Sequence, residues 1–502
     1  FLFATDSMNC PDGYFYARFA YRLPEHGLSK TFPWLQFTSL KDSFVDSYFL
    51  YNVLLSPFCR LASEPLVGAK IATWLLQLAL LIIIYVALCR LHAPWPLFWI
   101  ALLALSGPLF LSRLLMVRAH VLSMSLMVWA LYAIIRQSFW GAFAVSFIYV
   151  WCYSAPIAVL CTALGAEAAQ LALTGWPRRW PRLTLAVALG LVAGHLIHPY
   201  TPLTFNTLVD LLHKISAAAL SGPVARISEL QPFRPQDLWF GLPGITLAFM
   251  VAITGALRLR FRKNSDTKLS PESAAALGAA TVWFLSIFIF KRAIEYAAPL
   301  TVIAAALVVR DWLGSRGQQP WRTLTIQSRN RLIAAIAVAV VALSISLIWS
   351  FIIVRGTLRL NRNHFASEEA WKRGRYFDGV TDWMRQNLRP GATVVNLCFD
   401  DFPELYYSAP EQYYITGMDP TLMWLAYPEE AQILENMRTR KITLDFAKLR
   451  KLFHADYLAL RICRALEYPE LRPGLITPLS QSGLLRPVYV GQGGLIYYLG
   501  GP

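Results

Sequence analysis

The sequence predicts a mostly α-helical membrane protein: a polytopic bundle of about ten to eleven transmembrane helices with a small extracytoplasmic α/β domain behind it. Three observations predict this fold. Of the 502 residues, 56% are hydrophobic and only 15% are charged, whereas soluble domains carry roughly a quarter charged residues. The apolar residues fall in long blocks such as Leu66 to Leu88 and Leu332 to Val354, each long enough to cross a hydrocarbon core of ~30 Å. From about residue 355 onward these blocks give way to short alternating segments and turn residues.

The spans are read in order at 66–89, 95–112, 120–135, 139–153, 156–173, 183–198, 238–257, 273–290, 294–309 and 332–354. Their connections alternate in charge. One set holds Arg90, Arg136, Arg178, Arg179, Arg182, the run Arg258 to Lys263 with Lys268, and five arginines from Arg310 to Arg331. That is fifteen basic residues in about 54 loop positions, against seven in about 51 for the other set, so the first set is cytoplasmic. The same reading explains the net charge of +16 without nucleic acid as a partner. The first outer loop (5–65), the long outer loop (199–237) and the tail (355–502) then all face outward, and residues 1–354 form the membrane domain. The sequence opens at Phe1 without Met, which predicts a preceding spanning helix, bringing the count to eleven, or a removed signal peptide.

The tail reads as one small α/β domain. A helix is expected over 377–388, ended by Pro390-Gly391. Strands follow at 393–399 and 412–416, helices at 429–439 and 443–453, then strands at 456–462, 485–490 and 494–499. The last two are joined as a hairpin through Gly491 to Gly494. Seven cysteines make neither a disulfide scaffold nor a zinc motif. Cys10 with Cys59 and Cys398 with Cys463 are the pairs that share a loop or the tail.

Five polar groups carry the chemistry, and each also has a plain structural reading. Asp12 opens Asp12-Gly13-Tyr14 and could be a solvated loop carboxylate; Asp42 and Asp46 follow, four apart on one face of any helix there. Glu229 stands in Ser228-Glu229-Leu230-Gln231-Pro232, inside a loop of nearly forty residues, a length that usually signals function. Lys291, Arg292 and Glu295 sit between two apolar blocks, either as snorkelling anchors or as a seat for an anionic lipid headgroup, with Arg offering a two-pronged grip on phosphate. Arg113, Arg118 and His120 share a short outer turn. His195 and His198 are three apart at a helix end; two histidines alone are a poor zinc motif, so substrate or structural contacts rank first. All five groups fall on the outer face of the charge-derived topology. Transfer of a group from a lipid phosphate carrier needs such a gathering: a carboxylate to take a proton or hold a cation, and an arginine for the leaving phosphate.

At these residues the sequence resembles the GT-C superfamily of integral-membrane glycosyltransferases, above all the catalytic subunits of oligosaccharyltransferases. Asp12-Gly13-Tyr14 resembles the Asp-Gly-Tyr that opens their first external loop, whose Asp binds a divalent metal. Ser228-Glu229-Leu230-Gln231-Pro232 resembles their Ser-Val-Ser-Glu motif and its Gln-Pro continuation. Arg292, with Ala298-Pro299 after it, resembles the arginine that contacts the lipid-linked pyrophosphate. The likeness is scattered over residues 1–310, and it departs at two places. Paired acids of the second external loop are replaced by Arg118-Ala119-His120, so His120 substitutes or the metal is dispensable. The tail lacks Trp-Trp-Asp-Tyr-Gly and has Asp400-Asp401-Phe402-Pro403-Glu404 and Tyr414 to Pro420 instead, so N-glycosylation is not implied, and the tail either reads another acceptor or caps the fold.

The resemblance implies an inverting glycosyltransferase that moves a sugar from a polyprenyl-phosphate or polyprenyl-pyrophosphate carrier to a lipid, glycan or protein acceptor, on the periplasmic face of a bacterial inner membrane. It implies Asp12, Glu229 and His120 as the catalytic set, and Arg292, Arg118, His195 and His198 as contacts of the lipid phosphate. A Mg²⁺ or Mn²⁺ ion would sit at Asp12 and Glu229. The rival readings are a non-catalytic GT-C-like assembly subunit and a transporter of lipid-linked sugars; a transporter is expected to show internal pseudo-symmetry, and the sequence shows none.

Overall fold

A computed structural model describes residues 2–3, 8, 10–175, 181–206, 209, 231–261, 269–314, 344, 348–349, 351–352, 376–377, 379–462, 468, 471, 487–491 and 493–500. The chain divides into two compact units. One is Phe1–Trp74 with Met116–Arg118 and Thr357–Pro502; the other is Leu75–Leu115 with Ala119–Gly356. This grouping differs from a linear division at 354/355, because the first loop is built into the same unit as the tail.

The reason lies in backbone hydrogen bonds and aromatic packing. In the first unit, α1 (Asp12–His26), α2 (Phe49–Leu61) and the start of α3 (Pro65–Arg90) come from the N-terminal part. The tail supplies α14 (Val380–Asn387), β1 (Thr393–Asn396), α15 (Phe402–Ser408), β2 (Tyr413–Tyr414), α16 (Pro420–Ala426), α17 (Pro428–Arg438), α18 (Phe446–Phe453), β3 (Tyr457–Arg461), β4 (Pro487–Val490) and β5 (Gly494–Tyr498). The sheet order is β2-β1-β3-β5-β4, with β1 parallel to β2 and β3, and β5 antiparallel to β3 and β4. At the β2 edge the first loop continues the ladder: Tyr414 N–H donates to Trp34 O at 2.8 Å, and Gln36 N–H donates to Tyr414 O at 2.8 Å. An exposed strand edge is thereby covered. Phe15 and Phe32 of the loop pack on Phe402 and Tyr406, and Arg18 Nε donates to Tyr407 O at 2.6 Å. Across the sheet, Leu434, Met437, Leu449 and Phe453 meet Val395, Leu458, Leu460 and Tyr497 in a buried core.

The strands and two longer helices of the tail lie close to where the sequence puts them, but the strand expected at 393–399 ends at Asn396 and that at 412–416 is only Tyr413–Tyr414. The helices at 402–408 and 420–426 were not expected. Each begins with Pro in its first turn, where the missing N–H costs nothing, and Asp419 caps the second by accepting from Thr421 N–H at 2.9 Å. The acids of the tail motif are likewise engaged in the fold: Asp401 pairs with Arg461 at 2.6 Å and Glu404 accepts from Phe377 N–H at 2.6 Å. Asp42 and Asp46 lie in irregular backbone, not on a helix. Asp42 is exposed, while Asp46 is buried and accepts two bonds from Asn52 Nδ2, both 2.9 Å, and one from Tyr48 N–H at 3.0 Å. Cys10 and Cys59 are thiols, not a disulfide, and so is Cys398; Cys463 lies outside the described residues.

The second unit is helical: the rest of α3, then α4 (Pro96–Ala104), α5 (Pro108–Leu114), α6 (His120–Ile135), α7 (Phe139–Cys152), α8 (Ile157–Thr174), α9 (Arg182–Ile197), α10 (Pro235–Gly241), α11 (Pro243–Phe261), α12 (Pro271–Ser286) and α13 (Ile294–Gly314). Among the described residues, four helices are long and apolar enough to cross a membrane, or five if the bent pair α4 and α5 is one span. The span expected at 95–112 is that pair, bent by 90°. Gly107 at the break has φ of 139°, backbone that only glycine adopts readily, and Pro108 restarts the helix. The span expected at 332–354 falls almost wholly outside the described residues. Helices α8 and α12 cross at Gly165 and Gly278, where an added Cβ on Gly278 would strike Gly165 O; small residues allow this backbone approach where lipid supplies no hydrophobic drive. The buried Glu167 in α8 accepts from Leu183 N–H and the Thr184 hydroxyl at the start of α9. It is a helix cap, matched to the positive end of the helix.

Candidate functional site

In the first unit the site residue is Asp12, the first residue of α1 and 8% exposed. Its carboxylate sits at the helix start, where the N–H groups and the dipole favour negative charge. Arg118 donates to Asp12 Oδ2 and forms an ion pair with it. Gly13 explains how the two segments come so close. A Cβ there would stand 3.0 Å from Met8 Sδ and 3.3 Å from Val117 Cβ, so any larger residue would push the Arg118 segment away. Tyr14 fixes the helix start by accepting from Met8 N–H at 3.3 Å and packing edge-on against Tyr407. Tyr16 is buried beside Tyr48 and Tyr51, and burial pushes its hydroxyl well above its ordinary range.

Whether a divalent cation fits here is decided by the donors. Among the described residues no group of three or more His, Cys, Asp or Glu side chains is placed to hold a metal. Asp12 already bears a guanidinium, whose charge repels a second cation. The other expected ligand, Glu229, lies outside the described residues. Of the expected metal pair the described residues therefore hold Asp12 alone.

In the second unit the polar cluster centres on Glu295, in the first turn of α13 and fully buried. Arg113, in the last turn of α5, grips its Oε1 through Nε at 3.0 Å and through a terminal nitrogen. Tyr153 donates its hydroxyl to Oε2 at 3.0 Å. Arg292 stands with Nε 3.6 Å from Oε1 and its guanidinium lies over the Tyr153 ring, 5.3 Å from the centroid. His120 is fully buried, with Nε2 2.6 Å from the Arg113 carbonyl oxygen. A carbonyl only accepts, so the ring donates from Nε2 and holds the turn that carries Arg113. Behind it Ser123 donates to His120 O at 2.9 Å and shares a hydrogen bond with Tyr296, which is bonded in turn to Tyr149.

The structure thus joins Arg292, Arg113, His120 and Glu295 in one cluster, and Asp12 and Arg118 in another. His195 and His198 belong to neither. His195 is buried against Phe205, and neither ring nitrogen has a hydrogen-bond partner among the described residues. His198 accepts from Tyr200 N–H at 3.2 Å and meets Trp151 edge-on. Tyr153 is the member that sequence reasoning passed over: one aromatic among many, with only its position just past the end of α7 as a signal.

No family model and no curated protein matches the sequence. Solved structures do. The chain is similar to the oligosaccharyltransferase of Archaeoglobus fulgidus in its apo form, with a TM-score of 0.64 at 13% identity over 92% of this chain and 67% of that one. It is similar to the same enzyme tethered to an acceptor peptide, with a TM-score of 0.57 at 12% identity over 92% and 66%. It is similar to ArnT from Cupriavidus metallidurans bound to undecaprenyl phosphate, with a TM-score of 0.54 at 13% identity over 98% and 94%. The chain spans about two thirds of the archaeal enzyme's length and nearly all of ArnT's. The fold is that of the GT-C glycosyltransferases.

Proposed function

We propose that the protein is a membrane glycosyltransferase of the GT-C type. It takes a sugar from a polyprenyl-phosphate or polyprenyl-pyrophosphate carrier and passes it to an acceptor at the periplasmic face of a bacterial inner membrane. The observation that carries the reading is Asp12 at the start of α1, ion-paired with Arg118, in a chain with the fold of two such enzymes. One of these was solved bound to undecaprenyl phosphate and the other tethered to an acceptor peptide.

The chemistry follows from the charges. Asp12 takes the proton of the acceptor's nucleophilic group as general base, and Arg118 holds the carboxylate in place. The acceptor atom forms the new bond at the anomeric carbon as the bond from that carbon to the phosphate oxygen breaks. The electron pair leaves with the phosphate, where Arg292 meets the growing charge. Attack opposite the leaving group inverts the anomeric centre. Glu229 belongs to the same proposed set as an acceptor contact.

A second reading has an observation of its own. The ion pair with Arg118 satisfies Asp12 without substrate, as a non-catalytic assembly subunit would require. Transfer of radiolabelled sugar in membranes, comparing wild type with Asp12→Asn and Arg292→Ala, separates the two. Loss of transfer in both variants, with normal insertion, supports the enzyme; unchanged transfer in both, or none in wild type, sinks it.

A further inference from the structure

We infer that Arg22, His26 and Tyr406, set around the indole of Trp34, form a subsite for the carboxylate of an acidic sugar. The inference deepens the proposed function by naming the class of acceptor, and it rests on that reading. Arg22 follows Asp12 along α1 by roughly 15 Å of helix, a distance that an oligosaccharide spans.

Arg18, Arg22 and His26 recur every fourth residue and so share one face of α1. Arg18 is engaged: its Nε donates to Tyr407 O at 2.6 Å and its guanidinium lies over the Tyr407 ring. The other two turn to Trp34, whose indole N–H donates to Pro410 O at 2.6 Å and so fixes the ring. The Arg22 guanidinium stands 5.8 Å from the centre of that ring. The His26 and Tyr406 rings meet it edge-on, at 4.9 and 5.5 Å. Around this one indole, three buried polar atoms have no hydrogen-bond partner among the described residues: Arg22 Nη1, His26 Nε2 and Tyr406 Oη. Native folds leave few such atoms, because each costs its lost hydration. Three at one place call for a ligand with acceptor oxygens, since a guanidinium only donates, and a hydroxyl and an imidazole can donate too.

The charges select a carboxylate. Burial, and then the nearby Arg22, push the His26 imidazolium below its ordinary range and keep the ring neutral, so Arg22 is the one fixed cation of the three. A single negative charge matches it. Glu25 already shows the kind: its carboxylate accepts from Arg22 Nε at 3.3 Å, with the two side chains 53% and 24% exposed. An exposed pair of this sort contributes little, so Glu25 gives way to a better-seated carboxylate. Arg22, His26 and Trp34 are all partly exposed, which puts the opening at the surface of the unit. The backbone favours a sugar over a peptide. Tyr414 N–H already donates to Trp34 O, and Gln36 N–H to Tyr414 O, so the edge that an extended peptide would join is taken. A sugar ring needs only side-chain donors and an aromatic rim.

The test is equilibrium binding of methyl glucuronide to the full chain in phosphatidylcholine nanodiscs, with the sugar-transfer assay run on the same samples. Methyl glucoside, acetate and N-acetylaspartyl amide are the separate probes. Wild type should bind methyl glucuronide at least tenfold better than any of the three. Arg22→Gln should weaken that binding about tenfold, and His26→Ala and Tyr406→Phe about threefold each. Glu25→Gln should tighten it about threefold by removing the competing carboxylate, which a merely structural role for Arg22 would not do.

No saturable binding of methyl glucuronide overturns the subsite and leaves water as the partner of the three atoms. Affinities unchanged in both Arg22→Gln and Glu25→Gln overturn it as well. So does equal binding of the glucoside, of acetate, which would make the cluster an adventitious anion seat, or of the aspartyl amide, which would make the partner a peptide. If Arg22→Gln does not fold, Glu25→Gln decides, since Glu25 is exposed. Glucuronide binding that depends on Arg22 without any sugar transfer would sink the enzyme reading and leave the binding site standing. Asp12-dependent transfer without glucuronide binding would do the reverse.

Discussion

Glu295 and Asp12 both meet arginine, and they do so differently. Glu295 is fully buried and accepts from Arg113 and Tyr153, with Arg292 Nε 3.6 Å away. Asp12 is also buried, at a helix start, but less completely: its side chain is 12% exposed and that of its partner Arg118 17%. A charge without water depends on its partners, whereas a charge near water can exchange them. The difference teaches that Glu295 is built to stay as it is and to aim other groups. Asp12 has a single ion-pair partner that is itself partly exposed, so on the proposed reading its pairing is the one that can be exchanged.

The comparison breaks most easily at Asp12. Asp12→Asn should cut sugar transfer by about 10² to 10⁴-fold, the range of a lost general base, with the melting temperature in detergent almost unchanged. Full transfer in the folded variant would remove Asp12 from the mechanism. Glu295→Ala should show the opposite profile. It leaves Arg113 buried without its carboxylate and should cost about 3–5 kcal/mol of stability, read as early melting of the purified protein. A variant that melts like wild type would mean that water or another group already serves Arg113.

Much of this was legible in sequence, for physical reasons that differ from residue to residue. The spans announce themselves because lipid demands long apolar runs. The hairpin at 491–494 is visible through its glycines, and β4 and β5 flank it as expected. Arg292 stands out because charges between apolar blocks are costly, and Asp12 because it opens Asp12-Gly13-Tyr14. The partner of a charge is another matter. Arg113 and Glu295 are 182 residues apart, and nothing local in either segment records the pairing. The same holds for the strip at Trp34 to Phe37, which pairs with β2 through backbone atoms that every residue carries. The two seven-residue helices of the tail are shorter than the stretch over which helical periodicity shows.

A third carboxylate supplies the control. Asp46 is buried like Glu295, but its hydrogen bonds come from the neutral Asn52 and Tyr48 N–H groups. Burial pushes its carboxyl up to about 6, with these bonds pulling only partly the other way. Between the ordinary value near 3.8 and 6, the folded chain therefore binds more protons than the unfolded one, and stability falls as pH rises. The ionised carboxylate costs about 3 kcal/mol above pH 6 and nothing below pH 4. Asp46→Asn should accordingly raise the melting temperature at pH 8 and lose that advantage at pH 4. An equal gain at both values would show that the carboxylate is hydrated after all.

The smallest effect expected is the most pointed for Asp12. If Arg118 is the cation that serves this carboxylate, prolonged EDTA treatment should change sugar transfer by no more than about twofold, and added Mg²⁺ or Mn²⁺ should not stimulate it. Arg118→Ala removes the guanidinium and leaves Asp12 without its ion-pair partner at its helix start. Transfer should then fall, and a divalent ion should restore part of it, since a cation can now approach the carboxylate. A wild-type enzyme that EDTA silences and Mn²⁺ revives would mean that the ion displaces Arg118 during the reaction, and that the pairing is a resting arrangement which substrate and metal open together.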